Sequence, residues 1–329
     1  MEFTAGGRLD VHITPSDVGK RISVRRLRNA DDGAGTFTDA VGVLTSWTGG
    51  VLLITQRTGE TVRIAESSLV AGKVVPAAPA RRRGPAAGFA ELARAQARAW
   101  QPLENEPLGE WTLRAAHGFT RRANSVLPLG DPGLPLDDAL GRVRAWYAQR
   151  GLPPYVQVAT GAEGTQEALC AALDERGLRR EVTAEVRVAA LAPLADVEVA
   201  ADVAVARTPG PAWLRRYHRV GEPGEHVLRV LTAGPSVWFA SVPGEGGVPA
   251  AIGRCVVDGR WAGLLALEVA PERRRQGLAT AVTAALAAKA LEEGASAAWL
   301  QVESDNDAAR ALYAGMGFAV HHHYHHFRL

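Results

Sequence analysis

The sequence Leu264-Leu-Ala-Leu-Glu-Val-Ala-Pro-Glu-Arg-Arg-Arg-Gln-Gly-Leu-Ala-Thr280 joins an apolar run to an arginine-rich turn and then to an Ala-rich segment. Residues 264–269 predict a buried strand, because only Glu268 interrupts the apolar run. Pro271 ends that strand, since proline cannot donate a hydrogen bond to a sheet. The Ala and Leu content of residues 277–293 favours a helix, with Gly294 at its C-terminal cap. This strand, turn and helix indicate a chain of the α/β class.

The turn between the strand and the helix has the features of an anion site. A helix that begins near Gly277 points unpaired backbone N–H groups, and the positive end of its dipole, toward the turn. Gly277 has no Cβ to block a close approach, and Arg274 and Arg275 add positive charge. A P-loop and a dinucleotide site are disfavoured, because neither Gly-Lys-Ser/Thr nor Gly-x-Gly-x-x-Gly is present here. The alternative is an ordinary solvated basic corner.

The turn resembles the coenzyme A signature, Arg/Gln-x-x-Gly-x-Gly/Ala, of the GCN5-related N-acetyltransferases (GNAT). The residues that match are Val269, Pro271, Arg274, Gly277 and Ala279. A second family element follows the strand-like run 298–302, and it reads Asn306-x-x-Ala309-x-x-Leu312-Tyr313-x-x-x-Gly317-Phe318. The two elements in this order identify at least residues 200–329 with the GNAT catalytic fold. That resemblance implies a mixed-sheet fold of the α/β (α+β) class.

The resemblance implies that acetyl-CoA is the acyl donor and that no metal takes part. The strand backbone from Leu267 to Val269 would pair with the pantetheine arm, and the Val269 N–H would stabilise the oxyanion that develops on the thioester carbonyl. Asn306 suits both a cofactor contact and the N-cap of the next helix, and these roles are compatible. The expected cofactor-binding residues are Leu267, Val269, Arg274, Arg275, Gln276, Gly277, Leu278, Ala279, Thr280 and Asn306.

Three residues are candidates for proton transfer. The family places the acid that protonates the departing thiolate at the position of Tyr313, although a core aromatic on an amphipathic helix is the alternative. An ammonium acceptor must lose a proton before it attacks, and Glu268 and Glu303 are the acidic candidates for that base. Both carboxylates also suit surface or capping roles, and a base that acts through water leaves no mark in the sequence.

The N-terminal residues 1–75 predict a small β-barrel. Short alternating runs at 21–25, 40–44, 51–55 and 61–64 are separated by turn residues. The pattern resembles the SH3-like barrel that precedes the acetyltransferase part in some members of the family. Its basic residues fit either a solvated strand face or an acidic partner, and the lack of interleaved aromatics disfavours nucleic acid. These basic residues are Lys20, Arg21, Arg25, Arg26 and Arg28.

Residues 76–88 are rich in Pro, Ala and Arg and predict a linker. Beyond it the chain repeats itself: Tyr155-Val-Gln-Val158 matches Trp299-Leu-Gln-Val302, and Arg176-Gly-Leu178 matches Met316-Gly-Phe318. We therefore expect two GNAT-like halves in tandem, residues 89–195 and 196–329. The first half lacks the coenzyme A signature and would help to shape the acceptor pocket. The alternative is that two αβ units share a periodicity by chance.

Two polar stretches leave alternatives open. Arg122-Ala-Asn-Ser125 would either hydrogen-bond an acceptor or form a bulge or turn. Residues 321–326, His-His-His-Tyr-His-His, fall in the expected last strand, where only every second side chain shares a face. That spacing disfavours a zinc site, although some imidazoles could line the acceptor pocket.

Composition limits the classes of function. A chain of 329 residues with 47% hydrophobic residues can bury sizeable cores, and a net charge of +2 does not call for a polyanionic partner. With two cysteines, no signal-peptide pattern and no apolar run near ~20 residues, the sequence predicts a cytoplasmic protein without a membrane segment. We expect acetyl transfer from acetyl-CoA to the primary amine of a small molecule, by direct attack in a ternary complex. The alternatives are a protein N-acetyltransferase that recruits its partner through the N-terminal barrel, and a non-catalytic acyl-CoA sensor.

Overall fold

The computed structural model describes residues 10–27, 37–76, 85–217 and 223–329. Arg28 of the basic run and residues 77–84 of the predicted linker lie outside the described residues. The strands are β1 Arg21–Leu27, β2 Phe37–Thr48, β3 Val51–Thr55, β4 Thr61–Ala65, β5 Leu69–Val74, β6 Glu104–Leu108, β7 Trp111–Ala115, β8 Leu127–Pro128, β9 Tyr155–Thr160, β10 Arg179–Ala190, β11 Ala204–Ala206, β12 Ser236–Val242, β13 Ala251–Asp258, β14 Trp261–Val269, β15 Ala297–Glu303 and β16 Ala319–Arg328. The helices are α1 Phe89–Ala99, α2 Leu136–Ala148, α3 Glu167–Glu175, α4 Ala192–Ala195, α5 Pro211–Arg216, α6 Glu225–Thr232, α7 Leu278–Glu292 and α8 Asp307–Gly315. Within the described ranges, no helix combines the length and the apolar character that a membrane crossing requires.

The chain divides into two compact units, of which the first comprises residues 1–80 and 158–178. Its strands form one sheet in the order β4-β3-β2-β1-β5, so that β1 pairs with both β2 and β5. The four strands expected from the alternating runs are present, and β5 is an additional one. Helix α3 packs against β2 and β3 of this sheet. The apolar side chains of its core are Ile13, Ile22, Val24, Ala40, Leu44, Leu52, Ile54 and Ile64. The SH3-like barrel remains a prediction that this strand order supports.

The second unit comprises residues 81–157 and 179–329. An eight-stranded sheet in the order β11-β12-β13-β14-β15-β10-β16-β9 forms its centre, and a smaller sheet has the order β6-β7-β8. The neighbours β14 and β15 run parallel, whereas β10 pairs antiparallel with both β15 and β16. This mixture of parallel and antiparallel pairing confirms the expected mixed-sheet α/β class.

Apolar side chains cover both faces of the eight-stranded sheet. On the face that we call the first face, a cluster containing Trp261 and Trp299 packs against residues of α1, α5 and α6. On the second face, a cluster containing Ala298 and Leu300 packs against residues of α4, α7 and α8. The alternation of residues 297–302 between the two clusters is that of a strand buried on both sides.

The strands β14 and β15 separate before they end. They pair only from Trp261 to Gly263, opposite Ala297 to Trp299, and no further pairing joins them within the described ranges. Farther along β14 the register with β13 shifts, and Ala266 has a φ of 50°. An extra residue of this kind is a β-bulge, which bends the strand that carries it. Residues 264–269 and 300–303 are therefore not paired with each other, and we call the region between them the cleft.

The order strand, helix, strand occurs twice, as β9-α3-β10 and as β15-α8-β16. In the sheet these strands alternate, because the order β15-β10-β16-β9 takes one strand from each set in turn. Both expected halves, 89–195 and 196–329, therefore contribute strands to one sheet. This alternation supports a tandem origin, whereas the limits of the domains remain a prediction.

The buried Arg254 secures two helices on the first face. Its side chain is 0% exposed, and the guanidinium donates to the Leu231, Ala99 and Ala233 carbonyls at 2.6, 3.0 and 2.8 Å. These carbonyls lie at the C-terminal ends of α1 and α6, where a helix lacks internal partners and a cation is favourable. Burial lowers the pKa of Arg254 to about 10, so the side chain stays charged at neutral pH.

Candidate active site

The turn after β14 presents backbone N–H groups at the N-terminus of α7. A short 3-10 turn at Pro271–Arg273 is followed by Arg275 with a φ of 62° and by Gly277, the N-cap residue, with a φ of 77°. Alternating left- and right-handed residues of this kind form a concave anion-binding nest. The N–H groups of Leu278, Ala279 and Thr280 have no partner within the helix, and no side chain caps it. A glycine is needed at the N-cap because L-residues rarely adopt this φ.

Two of the predicted arginines form the rim of this turn. Arg274 and Arg275 are exposed, and neither guanidinium makes a hydrogen bond or ion pair with the described part of the chain. Gln276 has a structural role, since its Oε1 accepts from Arg273 at 2.9 Å and its Nε2 donates to the Glu272 carbonyl at 3.4 Å. The side chain of Gln276 thus stabilises the turn, and the guanidinium groups of Arg274 and Arg275 stay available to a ligand.

Successive side chains at the end of β14 project toward opposite faces of the sheet. Leu267 and Val269 pack against the cluster on the second face. Glu268 lies between them and therefore projects toward the first face. By the same alternation, Glu303 at the end of β15 projects toward the first face, since Leu300 and Val302 belong to the second. The two candidate bases consequently lie on the same face, on opposite sides of the cleft.

Helix α8 carries Tyr313 on the second face. Asn306 begins the helix as its N-cap, because its side-chain oxygen accepts from the Ala309 N–H at 3.1 Å. The capping role proposed for Asn306 is thereby confirmed, and its cofactor contact remains a prediction. Tyr313 is half-buried, and its ring meets the Phe318 ring edge to face at 5.8 Å. The core packing and the acid role considered for Tyr313 are therefore compatible.

A buried ion cluster that the sequence did not indicate anchors α8 to the sheet. Glu185 and Arg187 of β10 have side chains only 5% and 7% exposed, and their ion pair is 2.6 Å long. Arg310 of α8 donates to the same carboxylate at 3.0 Å, and its carbonyl accepts from Arg187 at 3.0 Å. Because Tyr313 lies one turn farther along α8, this cluster fixes the position of its phenol.

A cavity of about 180 Å³ opens on the first face, beside Glu303. Strand register explains its floor: Ala184 of β10 pairs with both Glu303 and Tyr324, and Val182 pairs with His326. Facing residues of neighbouring strands project on the same side of a sheet. The cavity is lined by Phe119, Thr120, Arg121, Arg122, Val182, Tyr217, Glu303, Tyr324 and His326. Glu303 therefore borders both the cleft and the cavity.

The loop of residues 116–123 forms one wall of the cavity and has an unusual backbone. His117 and Thr120 have φ values of 49° and 52°, which a β-branched residue such as threonine rarely adopts. Asn124 holds this loop, since its Oδ1 accepts from the Ala116 and Gly118 N–H groups at 2.7 and 3.0 Å. Its Nδ2 donates to the Phe119 and Thr120 carbonyls at 2.6 and 2.9 Å. The turn considered for Arg122-Ala-Asn-Ser125 is therefore present, with a 3-10 turn at Arg121–Ala123, and extended backbone resumes after it, at the Val126 bridge and in β8.

Positive charge gathers on the same wall. Arg122 donates through Nε to the Tyr324 hydroxyl at 3.1 Å and lies 5.8 Å from the centre of the Trp100 ring. Arg121 pairs with Glu181 at 3.1 Å. His326 is 2% exposed, and neither ring nitrogen has a hydrogen-bond partner within the described ranges. Burial lowers the pKa of His326 well below its ordinary value, and the charges of nearby arginines act in the same direction.

The histidine strand is therefore part of the core and of the cavity wall. His322, His325 and His326 are buried in β16, and His326 lines the cavity. No group of three or more His, Cys, Asp or Glu side chains within the described ranges is arranged to hold a metal ion. Arg122 and the imidazoles were among the acceptor contacts considered from the sequence. Tyr217, Phe119 and Val182 were not, because apolar and aromatic residues distant in sequence carry no local signal.

Comparison with known proteins relates this geometry to a family. The family model described as "Probable histone acetyltransferase Rv0428c C-terminal" matches residues 87–327. The Mycobacterium tuberculosis protein named "Probable histone acetyltransferase Rv0428c" is 30% identical over 307 residues, which is 93% of either chain. The Bacillus subtilis protein named "Uncharacterized N-acetyltransferase YobR" is 26% identical over 245 residues, covering 71% of this chain and 96% of that one.

Solved structures share the fold. A GCN5-related N-acetyltransferase from Kribbella flavida superposes with a TM-score of 0.56 at 20% identity, covering 74% of this chain and 96% of the other. A tandem GNAT protein from the clavulanic acid biosynthesis pathway gives a TM-score of 0.51 at 13% identity, covering 77% and 91%. All three comparisons point to acetyltransferases: the family model, the relative that spans almost the whole chain, and the solved structures that share the fold. The chain belongs to the GCN5-related N-acetyltransferase family and is an N-acetyltransferase.

Proposed function

We propose that the protein transfers the acetyl group of acetyl-CoA to the primary amine of a small molecule, by direct attack in a ternary complex. The observation that carries this proposal is the cleft between β14 and β15. The N-terminus of α7 follows its open end, and the cavity adjoins it through Glu303. A donor that enters along the turn and an acceptor held in the cavity would meet at the cleft.

The turn fits the diphosphate of a coenzyme A donor. The N–H groups of Leu278, Ala279 and Thr280 would donate to its oxygens, and the dipole of the 15-residue α7 favours the negative charge. Arg274 and Arg275 are exposed cations at the rim and would pair with phosphate groups. Gln276 would keep the turn in shape, and the Leu267–Val269 backbone would align the arm of the donor in the cleft.

The residues of the cleft suit a direct transfer. Glu268 or Glu303 would remove a proton from the acceptor ammonium, directly or through water, because both project toward the first face. The free amine would then attack the acetyl carbonyl, forming the N–C bond as the C–S bond breaks. The Val269 N–H would stabilise the oxyanion, and Tyr313 would give its proton to the departing thiolate. Asn306 would order the start of α8 and contact the donor.

A second candidate function is the acetylation of a protein. It is favoured by the relative named "Probable histone acetyltransferase Rv0428c", whose match extends over the N-terminal sheet as well. Several basic residues in and beside that sheet already have partners within the chain, so they leave less positive charge for an acidic partner than the sequence suggests. Lys20 pairs with Asp17 at 2.9 Å, Arg25 with Asp39 at 2.7 Å, and Arg21 donates to the Pro76 carbonyl at 2.8 Å. We therefore keep the small amine as the first candidate.

One pair of measurements tests the proposal on the full chain. Calorimetric titration with acetyl-CoA and with free coenzyme A is expected to show micromolar binding. Thiol release is then followed with a panel of small primary amines and, in parallel, with lysine-containing histone peptides. Turnover with a small amine supports the proposal, and turnover restricted to the peptides would replace it with protein acetylation. Donor binding without turnover on any acceptor would identify an acyl-CoA sensor instead.

A further inference from the structure

We propose that the cavity selects an acceptor that carries an oxyanion, a carboxylate or a phosphate, in addition to its primary amine, and that Arg122 binds this oxyanion. The inference rests on the proposed function, since it defines the acceptor of that reaction. The chemical class is that of amino acids and aminoalkyl phosphates. A lysine-rich, cationic peptide is the opposite kind of acceptor.

The first observation is the state of Arg122. Its side chain is half-buried on the cavity wall, and of its five N–H donors one goes to Tyr324. Within the described ranges no carboxylate lies within ion-pairing distance of its guanidinium. Its neighbour Arg121, in contrast, is matched by Glu181. A partly desolvated guanidinium with free donors is suited to a bidentate oxyanion.

The second observation is His326, which lines the same cavity. It is 2% exposed, yet both of its ring nitrogens lack a hydrogen-bond partner within the described ranges. Buried polar groups are almost always hydrogen-bonded, so an unpartnered imidazole beside a cavity indicates a missing ligand or water. A neutral imidazole has one N–H donor, which an oxyanion would accept.

The third observation is the charge behind this wall. Arg114 is buried, and within the described ranges its guanidinium donates to neutral groups, the Ser125 carbonyl and hydroxyl and the Gln157 side chain. Its charge acts on His326, as do those of Arg122 and Arg121. The wall is therefore electropositive, and burial makes its attraction for an anion stronger than it would be at the surface.

Glu303 supplies the opposite charge at the other side of the cavity. It lines the cavity and borders the cleft, and it forms no ion pair with Arg122. An acceptor with an ammonium group near Glu303 and an oxyanion near Arg122 would satisfy both. A volume of about 180 Å³ admits only a short chain between these groups. The backbone of Thr120, held in an unfavourable φ by Asn124, indicates a wall that is preorganised for a ligand.

The test uses acceptors matched in length. Thiol release is measured for ω-amino carboxylates, α-amino acids and aminoalkyl phosphates, each against an amino alcohol or amino amide of the same chain. The variants are Arg122→Gln, Arg122→Lys and, as the control, Arg144→Gln, an exposed arginine on α2. Binding of the same acceptors is measured by calorimetry in the presence of coenzyme A, which gives a readout that does not require turnover.

We expect the wild-type enzyme to prefer the anionic member of a pair by about 10-fold or more in kcat/KM. Arg122→Gln should lower kcat/KM for that member by about 10- to 100-fold, the usual range for a lost hydrogen bond to a charged group. Its kcat/KM with the neutral member should fall much less than with the anionic member, Arg122→Lys should retain part of the preference, and Arg144→Gln should behave as wild type. The carboxylate and phosphate series then show which oxyanion is preferred.

Equal kcat/KM for the two members of each pair, or an unaltered preference in Arg122→Gln, would overturn the inference and leave the proposed function intact. Absence of donor binding and of turnover would instead refute the proposed function. Calorimetry still tests the inference in that case. Anionic ligands must then bind the wild-type protein and bind Arg122→Gln more weakly. Binding to neither protein would refute it as well.

Discussion

At the scale of single residues, the phenol of Tyr313 has two roles that a substitution can separate. Tyr313→Phe keeps the ring that packs against Phe318 and removes only the hydroxyl. If this hydroxyl protonates the thiolate, kcat should fall by about 10- to 100-fold, within the range for a lost general acid. The affinity for acetyl-CoA and the free energy of unfolding should change little. An unchanged kcat in a thiol-release assay would show that another group delivers the proton.

Gly277 is needed at the turn for its conformation and for its open surroundings. A Cβ at this position would meet no atom within 4 Å, so a longer side chain would project into the space assigned to the donor. Gly277→Glu should therefore reduce the affinity for acetyl-CoA by at least about 10-fold, because it adds a like charge beside the phosphates. Affinity is measured by calorimetry.

The matched control for this substitution is Gly294→Glu, just beyond the other end of α7. Gly294 has a φ of 88° and equally open surroundings, so a side chain there has the same backbone cost. It follows Gly277 by 17 residues and lies beyond the C-terminal end of the helix. Equal loss of affinity in both variants would indicate a general loss of structure and would contradict the phosphate role of the turn.

Residues of the turn and of the α8 N-cap were predictable because their chemistry is local. The start of a helix near Gly277 and the Asn306 cap both follow from a few neighbouring residues. Arg122 and the histidines were candidate acceptor contacts in the sequence, but their meeting in one cavity was not predictable in this way. Arg122 and His326 meet only after strands from distant parts of the chain pair. An unpartnered ring nitrogen is a property of the packed structure and has no counterpart in a sequence pattern.

At the scale of elements, helix α8 depends on the buried cluster of Glu185, Arg187 and Arg310. Glu185→Gln would leave Arg187 buried without its counter-ion, and we expect the free energy of unfolding to fall by about 3–5 kcal/mol. The measurement is urea denaturation followed by circular dichroism. Because the position of Tyr313 depends on α8, kcat should fall as well.

A double variant provides the control for this cluster. In Glu185→Gln combined with Arg187→Met the uncompensated buried charge is gone, so most of the lost stability should return. Stability that remains equally low in the double variant would mean that the cluster acts through hydrogen bonds or volume. That result would contradict the electrostatic explanation.

Elements with a clear periodicity were predicted well, and those fixed by long-range contacts were not. The apolar run of β14 and the Ala-rich α7 were identified with nearly correct limits. Strand β6 was missed because its sequence, Glu-Asn-Glu-Pro-Leu, is polar and contains a proline. The bulge at Ala266, on which the cleft depends, has no glycine to mark it.

At the scale of the whole molecule, the buried histidines make stability dependent on pH. Burial lowers the pKa of His325 to about 3 and that of His326 well below its ordinary value. In the unfolded chain both titrate near 6.5, so below that pH the unfolded state binds more protons than the folded state. The free energy of unfolding should therefore fall as the pH decreases from 6.5 toward 3, by about 2 kcal/mol at pH 5 for His325, with a further loss from His326.

Urea denaturation at pH 7, 6 and 5 measures this dependence. His325→Gln removes one titrating group and should flatten the curve between pH 6.5 and 5. The comparison variant is His226→Gln on α6, which removes a half-buried imidazole instead of a fully buried one. A wild-type protein equally stable at pH 7 and pH 5 would show that these imidazoles are not buried in the neutral form.

The arrangement of the sheet was the least predictable feature of the molecule. The repeated motifs indicated two similar halves, and the comparisons agree on the GNAT fold. Nothing in either repeat specifies that β10 lies between β15 and β16. That choice depends on long-range pairing, which a periodicity does not encode.

The alternating order of these strands has a consequence for biosynthesis. Ribosomes make the chain from its N-terminus, so β10 is complete about 130 residues before β16 begins. At roughly 5–20 residues per second, both edges of β10 wait on the order of ten seconds for their partners. An unpaired strand is a template for aggregation during that interval. Protection of β10 during translation therefore matters for the correct folding of the enzyme.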